Sequence, residues 1–75
     1  MNIGKSMQTI REELGLSRPE MAERLGCSKT AVWKIENNRV HPKNETINRF
    51  CRITGTPLAR VYTMSFEAED FVFQK

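Results

Sequence analysis

Apolar residues recur along the first part of the chain with the period of an α-helix. The first stripe has four members, spaced by four, three and four positions: Ile3, Met7, Ile10 and Leu14. This spacing places them on one side of a helix over residues 3–14. Asn2 can cap the start of this helix, and Gly15 can take the left-handed conformation just past its end.

The next segment begins with an S-x-x-E motif. Ser17 and Glu20 are spaced as a capping box, and Pro19 falls in the first turn, where its missing N–H costs nothing. Gly26 is expected to end this second helix. Its predicted inward face is Met21, Ala22 and Leu25.

Three further helices are predicted, each starting at a cap or after a proline. Ser28 should cap a third helix that runs to about Asn37. A fourth covers roughly 44–54, and a fifth, short helix begins at Thr56-Pro57. Their expected inward residues are, in order, Ala31, Val32 and Ile35, then Ile47, Phe50, Cys51 and Thr54, then Leu58, Val61 and Tyr62. The pattern predicts an all-α domain of five helices over residues 1–64.

Composition and charge narrow the function classes. With 75 residues and 8.7 kDa the chain forms at most one small domain, and its apolar runs are too short to cross a membrane. The net charge of +3 divides unevenly, with +5 in residues 1–64 and −2 in residues 65–75. A modest basic excess is compatible with nucleic acid but also with a solvated charged face.

The two cysteines and one histidine do not indicate a metal site. Cys27 and Cys51 lie 24 residues apart, and together with His41 they fall short of the four ligands of structural zinc. Both cysteines are predicted to be buried free thiols, and the protein is expected to be cytoplasmic, with no secretory signal. No metal or other cofactor is indicated.

The segment from Ser17 to Asn37 reads as a helix-turn-helix unit. Two short helices flank the three-residue turn Gly26-Cys27-Ser28, and Ala22 lies where the helices must cross. The stretch LSRPEMAERLGCSKTAVWKIENNRVHP resembles the Cro/C1-type (xenobiotic-response-element) helix-turn-helix family of bacterial and phage DNA-binding proteins. ETINRFCRITG and TPLARVY are similar to its fourth and fifth helices. The resemblance covers residues 3–63 and implies a lambda-repressor-like fold.

The chain departs from the family pattern at four positions. Arg18 stands where the family usually has Gln, and Asn38 where it often has Gly. Thr54 and Thr56 replace apolar residues around the glycine of the fourth helix. Asn tolerates the left-handed conformation, so the fold is expected to persist. Arg18 can still reach a DNA phosphate.

The exposed side of the third helix carries the candidate base-reading residues. One stripe opposite Val32 and Ile35 contains Lys29, Thr30, Trp33, Lys34 and Asn37. The predicted base-reading set, which matches the family's base-proximal positions, is Ser28, Lys29, Thr30, Trp33 and Lys34. Lysines can donate to guanine, and the Thr30 methyl can touch a thymine methyl. Trp33 is expected either to contact thymine methyls or deoxyribose, or to pack over Lys29 or a loop.

Phosphate contacts and one ion pair complete the predicted interface. The candidate phosphate-binding residues, each also open to a plain surface role, are Arg18, Asn37, Arg39 and Lys43. Glu36 follows buried Ile35 and needs a cationic partner. By the resemblance, that partner is Arg11 of the first helix, in a structural rather than a catalytic role.

Residues 65–75 form an acidic, phenylalanine-rich tail outside the resemblance. Phe71 and Phe73 flank Val72 in a short alternating run that would suit a strand. Two interpretations remain open: a dimer arm, or a tail folded back over its own core. The candidate dimer residues are Tyr62, Phe66, Phe71 and Phe73.

The sequence supports two functions from different classes. The leading one is a sequence-specific transcriptional regulator, most simply a repressor, that binds an operator in double-stranded DNA as a homodimer. The alternative is an antitoxin-type module whose tail captures a toxin or other partner protein. An enzyme is the weakest interpretation, since no nucleophile–base pair or phosphate-cradling loop is present. No membrane partner is expected.

Overall fold

Five α-helices build the molecule. The computed structural model describes the backbone of residues 2–73 and the side chains of residues 2–65. The helices are α1 (Ile3–Glu13), α2 (Arg18–Leu25), α3 (Lys29–Glu36), α4 (Asn44–Thr54) and α5 (Leu58–Phe73). Within residues 2–73 no strand is formed, so the prediction of an all-α fold is confirmed.

The helix ends follow the local signals in the sequence. The Asn2 side chain accepts a hydrogen bond from the backbone N–H of Lys5 at 2.9 Å and so caps α1. Asn38 has a φ of 59°, the left-handed conformation that asparagine tolerates among non-glycine residues. It turns the chain out of α3 and towards the loop that leads to α4.

The core lies between α1 and the other helices. Helix α1 packs on α5 and on α3, while α2 packs on α3 and on α4. Phe50 of α4 is only 1% exposed and Val61 of α5 is fully buried. The buried apolar residues are Ile3, Met7, Ile10, Met21, Ala22, Leu25, Val32, Ile35, Ile47, Phe50 and Val61.

Helix α5 is longer than the sequence pattern predicts. It runs for 16 residues and includes Phe71–Phe73, so the strand expected there was wrong. Residues 58–73 contain no glycine or proline to stop a helix, and Glu67, Ala68 and Glu69 favour its continuation. The predicted division of the chain at residue 65 stays a prediction, and α5 crosses it without a break. Neither α5 nor any other described helix is long and apolar enough to cross a membrane.

Three individual burial predictions were wrong, those for Leu14, Leu58 and Cys27, while the inward candidates Ala31, Cys51, Thr54 and Tyr62 are half-buried. Leu14 is 51% exposed because α1 ends at Glu13 and the chain leaves the apolar stripe there. Leu58 is 42% exposed because it is the first residue of α5, where the chain enters the helix from the loop. Cys27 is exposed because it lies in the turn between α2 and α3, and Cys51 is half-buried at the edge of the core. Burial raises the pKa of the Cys51 thiol above its ordinary value.

Candidate nucleic-acid interface

The angle between α2 and α3 is set by caps on both sides of one tight turn. The Ser17 hydroxyl accepts from the Glu20 backbone N–H at 3.2 Å, and a Glu20 carboxylate oxygen accepts from the Ser17 N–H at 2.8 Å. Gly26 ends α2 with a φ of 74°, a conformation that favours glycine. The Ser28 hydroxyl then accepts from the Ala31 N–H at 3.1 Å and starts α3.

Helix α3 divides sharply into a buried and an exposed face. Val32 and Ile35 are 3% and 7% exposed, and they fasten the helix to α1 and α2. The opposite side, which we call the recognition face, consists of Lys29, Thr30, Trp33, Lys34 and Asn37, all exposed. The structure therefore brings the predicted base-reading residues together on one open surface, with Ser28 exposed at its start.

A buried carboxylate, that of Glu36, fastens the C-terminal end of α3 to the rest of the domain. Glu36 accepts from Nε and Nη2 of Arg11 at 2.7 and 3.1 Å, and its side chain is only 3% exposed. Arg11 also donates through Nη1 to the carbonyl oxygen of Leu16 at 2.7 Å, so its donors are used inside the protein. The hydrogen bond to Glu36 raises the pKa of Arg11 above its ordinary value. Arg11 thus connects three elements: helix α1, the loop that precedes α2, and helix α3.

Arg18 is a second cation on the same carboxylate. Its Nε donates to Oε1 of Glu36 at 2.9 Å, and its side chain is 35% exposed. Arg11 alone balances the charge of Glu36, so the three side chains of Arg11, Arg18 and Glu36 together carry a net charge of +1. That excess lies at the surface, on Arg18. Its predicted contact with phosphate is compatible with this position and stays a prediction.

Trp33 is held from one side by the loop after α3. The guanidinium carbon of Arg39 lies 5.8 Å from the centroid of the Trp33 ring, within the range of a cation–π contact. Even so, the tryptophan is 41% exposed. The Asn37 side chain turns back and donates to the Trp33 carbonyl oxygen at 2.9 Å. The loop therefore shapes one end of the recognition face.

Four cations on α3 and in the chain that follows it have no acidic neighbour within ion-pair distance among the described residues: Lys29, Lys34, Arg39 and Lys43. The five ion pairs found there involve Arg11, Arg18, Arg49 and Arg60, with Arg11 pairing twice. Lys29 and Lys34 lie on α3, Arg39 in the following loop, and Lys43 at the N-cap of α4. This surface is positive and favours a polyanion.

The predicted dimer residues are described only in part. Tyr62 is half-buried beside a groove that also involves Asn44, Asn48 and Leu58. The side chains of Phe66, Phe71 and Phe73 lie outside the described residues. Their roles in dimerisation, or in the capture of a partner protein, stay predictions.

Sequence reasoning missed two contacts that position this surface. Gly4 lies so close to α3 that a Cβ there would clash with the Ile35 carbonyl oxygen. Beside it, the Asn38 amide donates to the Asn2 side chain at 3.1 Å. The start of α1 thus buttresses the loop that carries Arg39. A glycine inside an otherwise regular helical stripe was the one signal that pointed to this close approach.

The missed bond between Arg18 and Glu36 also left a trace in the sequence. Arg18 replaces the Gln usual in the resembling family, at the start of α2 and close in the fold to the end of α3. A carboxylate that needs a cationic partner is open to any arginine within reach.

Comparison with known proteins agrees with this geometry. The family model of the helix-turn-helix domain matches residues 3–62. Two HTH-type transcriptional regulators called PuuR, from Escherichia coli K12 and Shigella flexneri, are each 30% identical over 60 residues, which is 80% of this chain. The chain spans about a third, 32%, of the length of these relatives.

Solved structures share the fold. Two crystal structures of the clp gene regulator ClgR from Corynebacterium glutamicum superpose with TM-scores of 0.85 and 0.81. Their identities are 21% and 20%. The first match covers 89% of this chain and 87% of that one, and the second covers 97% and 83%. At these identities the likeness describes the arrangement of the five helices alone.

Proposed function

The chain belongs to the helix-turn-helix domain family, of the Cro/C1 type, and on that premise we propose that it is a DNA-binding transcriptional regulator. The observation that carries the proposal is the recognition face, a solvent-exposed stripe on α3. It is flanked by Arg39 and Lys43, which have no ion-pair partner among the described residues. An α-helix fits the major groove of B-DNA, where base edges are distinguishable. Helix α3 would enter this groove with its first turns leading.

Each side chain is assigned by its place on α3 and around it. Ser28, Lys29, Thr30, Trp33 and Lys34 would read base edges, since they occupy the start and centre of the outer face. Arg18, Asn37, Arg39 and Lys43 would hold phosphates on either side. Arg11 and Glu36 fix the orientation of α3 from within and would not touch DNA.

The finer proposal is a homodimer that acts as a repressor on a two-fold symmetric operator. The relatives named PuuR are HTH-type transcriptional regulators, and residues 3–62 of this chain match the helix-turn-helix domain model. A domain of this kind that occupies a promoter can block transcription directly. We assign Tyr62 and the phenylalanines of the tail, Phe66, Phe71 and Phe73, to contacts with the second copy, since the backbone of all four belongs to α5 rather than to the recognition helix α3.

Footprinting on the promoter region of the protein's own gene tests the proposal. We expect protection of two half-sites about one helical turn apart, and a stoichiometry of two chains per site in analytical ultracentrifugation. Folded protein that protects no segment even at low salt would overturn DNA binding. Protection of one half-site by a monomer would overturn only the dimer.

A further inference from the structure

The chain leaves α3 through a turn that places Asn38 in the left-handed conformation, with a φ of 59°. The Asn38 N–H donates to the Ile35 carbonyl oxygen at 3.1 Å. The Arg39 N–H donates to the Lys34 carbonyl oxygen at 2.8 Å, which completes the pattern of a Schellman motif. Glycine takes this conformation without strain and is the usual residue at such a position. An asparagine here is expected to gain a contact that glycine could not make.

The Asn38 side chain makes such a contact with the start of α1. Its amide donates to Oδ1 of Asn2 at 3.1 Å, and the same oxygen accepts from the backbone N–H of Lys5 at 2.9 Å. One side-chain oxygen thus caps α1 and also holds the exit of α3. Gly4 makes room for this bond, since a Cβ there would lie 3.0 Å from Asn38 Oδ1 and would clash with the Ile35 carbonyl oxygen.

Arg39 is the next residue along the chain, and it covers one side of Trp33. Its guanidinium carbon lies 5.8 Å from the centroid of the indole ring. Among the described residues no acidic group lies within ion-pair distance of Arg39. The two residues that follow, Val40 and His41, are exposed. The position of Arg39 therefore depends on the turn that precedes it.

We propose that Asn38 is a positioning residue for DNA binding, because its bond to Asn2 holds Arg39 against Trp33 before DNA arrives. The inference rests on the proposed function and deepens it, since it gives the reason why a phosphate-binding cation and a base-reading indole are presented together. A long side chain that is ordered in advance loses less conformational entropy when it binds. Neither asparagine touches DNA in this arrangement. The start of α1 contributes to affinity only through the turn.

Asn38→Gly tests the bond and keeps the backbone of the turn, since glycine accepts the left-handed conformation. The probe is a DNA duplex selected by the wild-type protein from a random pool. We expect about fivefold weaker binding, the effect of ordering one long side chain during binding rather than before it. The slope of log affinity against log salt should keep its wild-type value, because Arg39 still reaches its phosphate in the complex. Arg39→Ala should instead lower that slope by about 1.

The fluorescence of Trp33 reports the same contact in the free protein. Trp33 is the sole tryptophan of the sequence, so quenching by acrylamide measures the access to its ring. Asn38→Gly should raise the quenching constant towards that of Arg39→Ala, in which the ring is uncovered. Asn38→Asp tolerates the left-handed conformation but has no donor for Asn2, and it should raise the constant equally. This variant separates the loss of the bond from the added backbone freedom of glycine.

Variants of Asn2 test the other end of the bond. Asn2→Ser keeps a preferred cap for α1, but its shorter side chain should leave the Asn38 amide without its acceptor. Its affinity and quenching should match those of Asn38→Gly, and the double variant should lose no more than either single one, because all three lack the same bond. Thr9→Ala, which removes a hydrogen bond to the Lys5 carbonyl oxygen on the same helix, is the control and should change neither quantity.

The outcomes separate this inference from the proposed function. A wild-type protein that selects no duplex overturns both. If the wild type selects a duplex, an unchanged affinity or an unchanged quenching constant in Asn38→Gly overturns the positioning role alone. A salt slope lowered by about 1 in Asn38→Gly would assign a phosphate contact to Asn38 itself and overturn that role as well. Additive losses in Asn2→Ser and Asn38→Gly, with both variants folded by circular dichroism, would do the same, since the two residues would then act independently.

Discussion

Polar side chains have opposite environments in two regions of the molecule. They are buried in the seam between α1 and α5, around Ser6 and Ser65, and they are exposed on the recognition face of α3. In the seam, the hydroxyls of Ser6 and Ser65 lie 2.8 Å apart, and Ser65 also donates to the Val61 carbonyl oxygen at 3.0 Å. Ser65 is fully buried. On the recognition face, Lys29 and Lys34 are exposed and have no acidic group within ion-pair distance among the described residues.

The difference separates the side chains that stabilise the fold from those that are available to bind a ligand. Among the described residues, no buried side-chain nitrogen or oxygen lacks a hydrogen-bond partner, so the interior satisfies its own polar groups. The recognition face leaves its donors and half of an indole for a ligand. Glu36 links the two regions, since it ends α3 yet faces inward to Arg11.

The largest expected effect comes from removing Glu36. Glu36→Ala leaves the guanidinium of Arg11 buried without its carboxylate, and breaking such a pair costs about 3–5 kcal/mol. Urea denaturation at neutral pH should show a free energy of unfolding lowered by this amount. Arg60→Ala, which removes an exposed ion pair with Glu13, is the matched control and should cost only about 0–1 kcal/mol. Similar losses in the two variants would contradict the view that Glu36 is the internal anchor.

A smaller effect is expected in the seam. Ser65→Ala removes one of two buried hydroxyls and should cost about 1 kcal/mol of unfolding free energy. The double variant with Ser6→Ala should lose less than the sum of the single losses, because no partner is left unsatisfied. Thr63→Ala, exposed on the same helix, should change stability by less than about 0.5 kcal/mol. DNA affinity should be the same in all of these variants. A loss of DNA affinity in Ser65→Ala alone would show that the seam between α1 and α5 influences the recognition face.

The substitution Lys43→Ala should weaken DNA binding without lowering the free energy of unfolding. Removing one phosphate contact is expected to reduce the slope of log affinity against log salt by about 1, uniformly across DNA sequences. Fluorescence anisotropy titrations at several salt concentrations measure this slope. Arg60→Ala again serves as control, since it removes the same charge from α5. An equal change of slope in both variants would mean that Lys43 acts only through net charge.

The smallest expected effect is the acid sensitivity of the α2 cap. The hydrogen bond from the Ser17 N–H lowers the pKa of Glu20 below its ordinary value of 4.5. The folded-state pKa is lower than the unfolded one, so this contribution is present above pH 4.5 and fades as the pH falls through the folded value. Glu20→Gln should flatten that part of the curve of urea midpoint against pH. Glu23→Gln lies on the same helix but outside the capping box, and it should leave the shape of the curve of urea midpoint against pH unchanged.

Helix positions were predictable because the signals for them are local. The capping box at Ser17 and Glu20, the Asn2 cap and the glycines after α2 and α4 all act within a few residues of the helix end. The length of α5 was not predicted. An alternating run of three residues at Phe71–Phe73 is too short to distinguish a strand from the last turn of a helix.

The recognition face was predictable for the same reason, and its connections were not. The spacing of Lys29, Trp33 and Asn37 determines that they share one side of α3. Nothing in the spacing tells that Arg39 covers Trp33, or that Arg18 reaches Glu36. Those contacts depend on how a loop and a second helix are placed in space.

The sequence by itself determined five helices, their caps, the turn between α2 and α3 and the outward stripe of α3, because each depends on neighbours within one or two helical turns. Tertiary structure decided which cation lies on which carboxylate, the close approach of Gly4 to Ile35 and the hydrogen bond between Asn2 and Asn38. These features join residues that are remote along the chain. Packing against a common core, rather than any local preference, brings them together.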